Sequence, residues 1–369
     1  MARGTIIELS SGVSPSCPYY LGDSVADQLP AYLRRHTFDE IYLVTSDRLH
    51  ARFGGALARV LGDANIAVNV LTVREGEAAK GWQQLTELCE RLVAAGVTKD
   101  SLVMAVGGGM ISNLVGLAAG LTYRGVRYVE VPTTMLNLTD GSLSNKQAVN
   151  GSLGKNQFGM YYAPLFIWAD VAYIRHEPVR QHRSAITEAI KNGLVNDATW
   201  FERLEKLLTP DLAAVQDDLL GFCHDVVSSK QSILALDPGE RHAGIMLEYG
   251  HTVGHAVEFL SAGRLLHGEA VGIGMCAAAG VAVRLGLCDP EVLHRQEHIL
   301  ADRLGSVTGL PRELTAEQIV EVIRNDNKRR AGATIRFVLV PRIGTVRCVD
   351  GDYETPVPEP LLKSVLTEA

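Results

Sequence analysis

Leu102-Val-Met-Ala-Val-Gly-Gly-Gly-Met110 is the stretch on which the fold turns. Five apolar residues run without interruption, as in a strand buried on both faces. Three glycines follow, and Met110–Tyr123 then carries the apolar spacing of a helix. Strand, glycine turn and helix in that order can cradle a phosphate. Without Cβ atoms the backbone approaches a pyrophosphate closely, and the helix start offers free N–H groups to its charge. The spacing is not Gly-x-Gly-x-x-Gly, and tight strand-to-helix turns also collect glycine. The triplet alone leaves both readings open.

Outward from that stretch the same alternation repeats. Glu40-Ile-Tyr-Leu-Val-Thr-Ser46 reads as a buried strand, followed by a helix over Leu49–Leu61. A strand over Ile66–Val73 and a helix over Trp82–Ala95 come next, and Tyr128–Val131 and Leu165–Trp168 complete the strands. Such alternation implies parallel pairing in a doubly wound sheet. Asp47 ends the first clear strand, where sheets of this kind often hold ribose hydroxyls, and it is equally placed to cap the next helix. From about Glu177 the pattern is almost wholly helical, with only Ile335–Val340 and Thr345–Val349 extended. The expectation is an α/β domain with a mostly parallel sheet over residues 1–175 and a mainly helical domain over 176–369.

At 369 residues the chain is long for one core, in keeping with two domains. It is 47% hydrophobic, only 6% aromatic, and carries a net charge of −7. No run of Lys or Arg supplies the basic surface that nucleic acid requires. The six cysteines show no Cys-x-x-Cys spacing and read as reduced thiols of a cytoplasmic protein. The first residues, Met-Ala-Arg-Gly-Thr-Ile-Ile-Glu, lack the long apolar core of a secretory signal. Ala270–Val283 is too short to span a bilayer and reads as a buried helix.

The chemistry concentrates in Glu248-Tyr-Gly-His-Thr-Val-Gly-His255 and the His267-Gly-Glu269 that follows it. His251 and His255 lie four apart in a helical run, so both project from one face. Clustered imidazoles with a carboxylate are typical ligands of first-row metals. Two hydrogen-bonded helix histidines and a surface one would be the plainer reading. A hydrolytic zinc motif is excluded, because His-Glu-x-x-His needs a glutamate where Thr252 stands.

Several segments gain specificity from their order: Gly107-Gly-Gly, Tyr123-Arg-Gly, Val131-Pro-Thr-Thr, Lys146-Gln-Ala-Val-Asn, Gly154-Lys-Asn, Glu188-Ala-Ile-Lys-Asn, Gly250-His-Thr-Val-Gly-His and His267-Gly-Glu-Ala. Together they resemble the sugar phosphate cyclases, the family of 3-dehydroquinate synthase, over most of residues 40–330. Ser144–Asn150 and Leu247-Glu-Tyr-Gly-His are most similar to the branch that cyclises D-glucose 6-phosphate to 2-deoxy-scyllo-inosose, the carbocycle of aminoglycoside antibiotics.

The resemblance implies a homodimer with an NAD+-binding α/β domain, a helical metal-binding domain and a small sugar phosphate as substrate. It implies no nucleic-acid or membrane partner. Position by position, it makes Glu188, His251 and His267 the ligands of Zn2+ or Co2+. It places His255 beside the metal or phosphate, and Lys146, Lys155, Asn156, Lys191, Lys230 and Lys328 along the substrate pocket. On the cofactor side it places Asp47, Glu77, Lys80, Gly108, Gly109, Thr133, Thr134 and Asp140.

Departures from the family pattern narrow the substrate. Dehydroquinate synthases carry an Arg seven residues before the first motif histidine, where this chain has Gly244. A neighbouring Asn is replaced by Glu248, which repels a carboxylate but accepts hydrogen bonds from sugar hydroxyls. Asn113 replaces a common Asp, as in the inosose-forming branch, while Gly141 and Asn145 match neither pattern. The resemblance thus implies transient oxidation of glucose 6-phosphate by NAD+, phosphate elimination, reduction and aldol closure, with Lys146, Lys191, Lys230, Glu248 and His255 as the catalytic set. The alternatives are a cyclase for sedoheptulose 7-phosphate or the shikimate-pathway heptulosonate, a metal-dependent polyol dehydrogenase, and a catalytically silent homologue. The lysine set argues against the dehydrogenase, and the intact ligand set against the silent homologue.

Overall fold

A computed structural model describes residues 4–10, 17–152, 154–237, 242–324 and 334–368. The chain divides into two compact units. One comprises Met1–Ser152, Asn156–Glu177 and Leu219–His224, and the other Leu153–Lys155, Pro178–Asp218 and Asp225–Ala369. The main passage between them falls after Glu177, and the two short excursions have no counterpart in the sequence reading.

The first unit is built on a seven-stranded sheet in the order β1-β2-β9-β6-β5-β3-β4. These strands are β1 (Ile7–Ser10), β2 (Pro18–Gly22), β3 (Ile41–Thr45), β4 (Val68–Thr72), β5 (Leu102–Gly107), β6 (Arg127–Pro132) and β9 (Ile167–Asp170). All neighbours pair in parallel except β1 and β2. Every residue of β3 and β5 is buried, as their unbroken apolar runs require. Tyr42, Val44, Val103 and Ala105 pack against the helices Trp82–Ala94 and Gly109–Leu121. Ile41, Leu43, Leu102 and Met104 face the other way, against Leu57 and Leu61. The two-residue period of the strands thus sorts side chains to opposite faces, each covered by helix. Because β3 is bonded on one side to β4 and on the other to β5, the chain order reverses between β3 and β5. Crevices at such reversal points, outside the carboxyl ends of the strands, are where α/β sheets bind ligands.

The sequence reading needs four corrections. It omitted β1 and β2, whose Pro-Tyr-Tyr-Leu-Gly lacks the β-branched run of the inner strands. It omitted the antiparallel hairpin of β7 (Lys146–Val149) and β8 (Phe158–Tyr161). The helix expected over Leu49–Leu61 begins at Asp47 and contains a π-helical turn at His50–Gly54. Thr345–Val349 is not a strand: positive φ at Gly344, Asp350 and Gly351 turns the chain at both ends, leaving isolated bridges. The strand expected at Ile335–Val340 does form, as β10 (Arg336–Val338), and it pairs with β11 (Glu354–Pro356).

One buried group in the sheet has a measurable signature. Glu130 of β6 is fully buried, and burial raises its carboxyl to about 8 despite hydrogen bonding to Ser112, Tyr128 and Gln147. The folded state therefore holds a proton that the unfolded chain releases near its ordinary value. Glu130 costs stability as pH rises from about 4.5 to about 8, and the cost levels off above that. Glu130→Gln should raise the thermal midpoint at pH 8.5 and change it little at pH 5. An equal effect at both pH values would show that Glu130 does not titrate in this window.

In the second unit, glycine sets the spacing of the helices that carry the histidines. A Cβ on Gly268 would collide with the carbonyl of Ser184, one turn before Glu188 in the helix Val179–Asn196. A Cβ on Gly274 would collide with the carbonyl of Gly250, immediately before His251. Bare backbone at these points lets the helices His251–Leu260 and His267–Arg284 approach one another, and lets the second reach the Val179–Asn196 helix. Arg180 then clamps Glu269 through two bonds of 2.7 and 2.8 Å, fixing the start of the His267–Arg284 helix. That helix is buried along nearly its whole length, as expected for Ala270–Val283. No described helix is long and apolar enough to cross a membrane.

Candidate active site

Three helices each bring one of the expected ligand residues to a common point. Glu188 lies mid-helix and is 1% exposed, while His251 and His267 are the first residues of their helices. Their donor atoms all lie within 4.8 Å of one another. Glu188 Oε1 stands 3.7 Å from His251 Nε2 and 3.4 Å from His267 Nε2. Those distances are long for good hydrogen bonds, and Oε1 is buried with no other partner.

Each histidine is turned by its other nitrogen. His251 Nδ1 is 3.1 Å from the Tyr249 carbonyl, so it donates there and leaves Nε2 as the free donor atom. His267 Nδ1 is 3.0 Å from Glu258 Oε2, and its Nε2 likewise faces Glu188. An orphaned buried carboxylate oxygen facing two oriented imidazoles fits a divalent first-row cation. Three protein ligands leave coordination positions open, as in a catalytic rather than a structural site.

The charges are tuned by contact. Burial pushes the Glu188 carboxyl up, but Lys191, His251 and His267 outweigh it and hold it well below the usual range. Lys191 Nζ donates directly to Glu188 Oε2. Burial and the Lys191 charge push His251 far down, so its ring is neutral. Burial also pushes His267 down, yet Glu258 and Glu188 overcome it and raise the ring to about 10.

The remaining expected residues of the second unit occupy a range of positions. The His255 ring lies 5.1 Å from that of His251 and 6.1 Å from that of His267, outside the set of three. Glu248 ends the short turn Ala243–Glu248, half-buried, and acts on His251 through its charge. Gly244 is buried in the same turn, its N–H donating to Asp237 at 2.9 Å. Lys230 is buried on the helix Leu219–Leu234. Lys155, expected along the substrate pocket, pairs with Glu258 at 2.6 Å. Lys328 lies outside the described residues.

In the first unit the expected cofactor residues gather at the carboxyl ends of the strands. Asp47 follows β3, Gly108 and Gly109 follow β5, and Thr133 and Thr134 follow β6. Ser46, not Asp47, caps the helix after β3 by accepting from Leu49 N–H, and Asp47 is exposed. Gly109 is exposed at the start of its helix, so that turn's free N–H groups are open to an anion. A Cβ at Gly108 would meet Thr134 Cγ2 at 2.9 Å, which explains why the second glycine is bare. Thr133 Oγ1 is buried without a partner. Glu77 is exposed and accepts from Asn150 at 2.9 Å, and Asp140 ends the helix Met135–Thr139.

Lys80 is buried and donates to Asn113 at 2.7 Å and to Asn156 at 2.6 Å. Asn156, expected on the substrate side, is thus tied to Lys80, expected on the cofactor side. Asn113 in turn donates to the Lys146 carbonyl at 3.1 Å, at the start of β7. An aspartate in place of Asn113 could not make that last bond. The sequence reading missed Glu258, which meets both His267 and Lys155. A glutamate three residues after His255 on a helix gives no signal apart from its spacing.

Residues 70–184 match the family described as 3-dehydroquinate synthase N-terminal, and residues 185–329 its C-terminal counterpart. The 2-deoxy-scyllo-inosose synthase of Streptoalloteichus tenebrarius is 38% identical over 95% of this chain and 92% of its own. That of Streptomyces kanamyceticus is 35% identical over 95% of this chain and 91% of its own. A solved 2-deoxy-scyllo-inosose synthase, complexed with carbaglucose-6-phosphate, NAD+ and Co2+, superposes with a TM-score of 0.90. It is 30% identical and covers 99% of both chains. The chain belongs to the 3-dehydroquinate synthase family of sugar phosphate cyclases, as its ordered motifs imply.

Proposed function

We propose that this protein is a carbon–oxygen lyase that converts D-glucose 6-phosphate to 2-deoxy-scyllo-inosose and phosphate. The observation that carries the reading is the convergence of Glu188, His251 and His267 with their free donor atoms facing one another. It is supported by relatives of that activity along nearly the whole chain. In this reading Glu188, His251 and His267 hold Zn2+ or Co2+. Asp47 takes the ribose of NAD+, and Gly108 and Gly109 the pyrophosphate. Glu77, Lys80, Thr133, Thr134 and Asp140 complete the cofactor site. When bound, the dication acidifies a substrate hydroxyl, and the nicotinamide serves as a reversible hydride acceptor.

The chain's own residues bind, orient and move protons. Glu248 accepts hydrogen bonds from sugar hydroxyls. Lys146, Lys155, Asn156, Lys230 and Lys328 are assigned to the substrate and its phosphate on the strength of the family resemblance. Lys191 keeps Glu188 ionised, and His255 exchanges a proton with the substrate next to the ligand set. Oxidation at one carbon acidifies the adjacent C–H; loss of that proton expels phosphate, whose second pKa near 6 suits it to accept the proton. Hydride then returns to the oxidised carbon, the pyranose C–O bond opens to give an aldehyde and an enolate, and their intramolecular aldol addition forms the C–C bond that closes the carbocycle, with no net oxidation. In the direct test, purified protein is stripped of metal, reloaded with Co2+, and given NAD+ and glucose 6-phosphate. Phosphate release with a carbocycle of the expected mass supports the reading, and no release overturns it.

The protein acts in this reading as a homodimer in the cytoplasm, where its cysteines stay reduced. The first unit exposes an apolar patch in which Trp82 touches Phe158, and Met160 lies against Gly120, beside exposed Leu121. Every residue of β8 is exposed. A monomer seldom leaves such a strand uncovered, and a second copy is the partner always at hand.

A further inference from the structure

The geometry points to Glu258 as the positioning residue for the metal ligand His267. The inference rests on the metal-centre reading above and adds a residue that neither the motifs nor the spacing single out. Glu258 lies on the His251–Leu260 helix, two turns beyond His251, with its side chain 13% exposed. Its two oxygens make two different bonds. Oε2 accepts from His267 Nδ1 at 3.0 Å, and Oε1 accepts from Lys155 Nζ at 2.6 Å.

The first bond settles which His267 nitrogen carries hydrogen. With Nδ1–H committed to Glu258, Nε2 is the atom that faces Glu188 at 3.4 Å. The carboxylate also raises the electron density of the ring, making Nε2 a stronger donor toward a cation. The second bond fixes the carboxylate itself. A glutamate has three rotatable bonds, and a lone hydrogen bond to a histidine would leave its plane free to swing. The lysine occupies the other oxygen and satisfies a charge that is otherwise mostly shielded from water. Lys155–Glu258–His267 is therefore a three-member relay that ends on a ligand of the proposed metal. His251 is oriented differently, by the carbonyl of Tyr249 in its own chain turn. Side-chain substitution can therefore disturb one histidine and leave the other in place.

The test is Co2+ binding to the metal-stripped full chain, read by chelator competition and by the visible cobalt(II) spectrum. The unsubstituted chain, Glu258→Gln, Glu258→Ala and Lys155→Met are compared, and circular dichroism confirms that each is folded. Loss of the carboxylate should weaken Co2+ binding about 10- to 100-fold, Ala more than Gln, and shift the spectrum. Glu258→Gln preserves shape and an acceptor oxygen, so it serves if the alanine variant does not fold. Lys155→Met leaves the His267 acceptor in place and should cost less than Glu258→Gln. Unchanged affinity and spectrum in folded Glu258→Gln would overturn the proposal, as would a larger loss in Lys155→Met. Failure of the unsubstituted chain to bind Co2+ would instead overturn the metal-centre reading.

Discussion

His251→Ala is expected to abolish turnover of glucose 6-phosphate while leaving the chain folded. Of the three proposed ligands it is the clean choice. Removing Glu188 would break its buried ion pair with Lys191, and breaking such a pair costs on the order of 3–5 kcal/mol of stability. His251 is neutral, so its loss breaks no such pair. Its hydrogen bond is to the Tyr249 carbonyl, in the turn that opens its own helix. What disappears is one of the three donor atoms that face one another. Charge stabilisation by a catalytic metal is worth several kcal/mol, which corresponds to a loss in kcat on the order of 10³-fold or more. Activity within tenfold of the unsubstituted enzyme, with Co2+ at saturation, would show that the three residues do not hold a catalytic metal.

The second large effect is in substrate choice. Glucose 6-phosphate should be turned over, and the heptulosonate phosphate that carries a carboxylate should not. Gly244 offers no cation where dehydroquinate synthases carry Arg, and its N–H already donates to Asp237. Glu248 adds a negative charge close enough to act on His251. A carboxylate brought there without a partner would cost several kcal/mol in a partly desolvated pocket, enough to lower kcat/KM by orders of magnitude. Sedoheptulose 7-phosphate is the nearer competitor, because it lacks the carboxylate. Comparable kcat/KM for the heptulosonate and glucose 6-phosphate, measured by phosphate release, would contradict the roles given to positions 244 and 248.

The inner strands were legible because burial on both faces leaves a plain mark: the apolar runs at Ile41–Thr45 and Leu102–Gly107 admit few other readings. The outer elements leave weaker marks. β8, Phe-Gly-Met-Tyr, is exposed throughout, so no inside–outside alternation announces it. β11 hides behind the proline that ends it, while the alternating residues 345–349 look like a strand until the turns at Gly344 and Gly351 are seen.

The site divides the same way. Glu188, His251 and His267 could be named from their motif positions, and the fold brings them together. The partners of Lys155 and Asn156 could not, because each side chain reaches a residue far away in sequence: Glu258 for the one, Lys80 for the other. Glu258 itself looks like any solvated helix glutamate until the helix beginning at His267 folds back beside it.

In the proposed reaction hydride leaves the substrate and returns to it within one catalytic cycle. The most direct measurement gives the Co2+-loaded protein a large excess of glucose 6-phosphate over NAD+ and follows phosphate release and absorbance at the NADH band together. Phosphate should exceed added NAD+ many-fold with no steady growth of NADH. Stoichiometric NADH accumulation without phosphate release would contradict it and mark the protein as a dehydrogenase on the same fold.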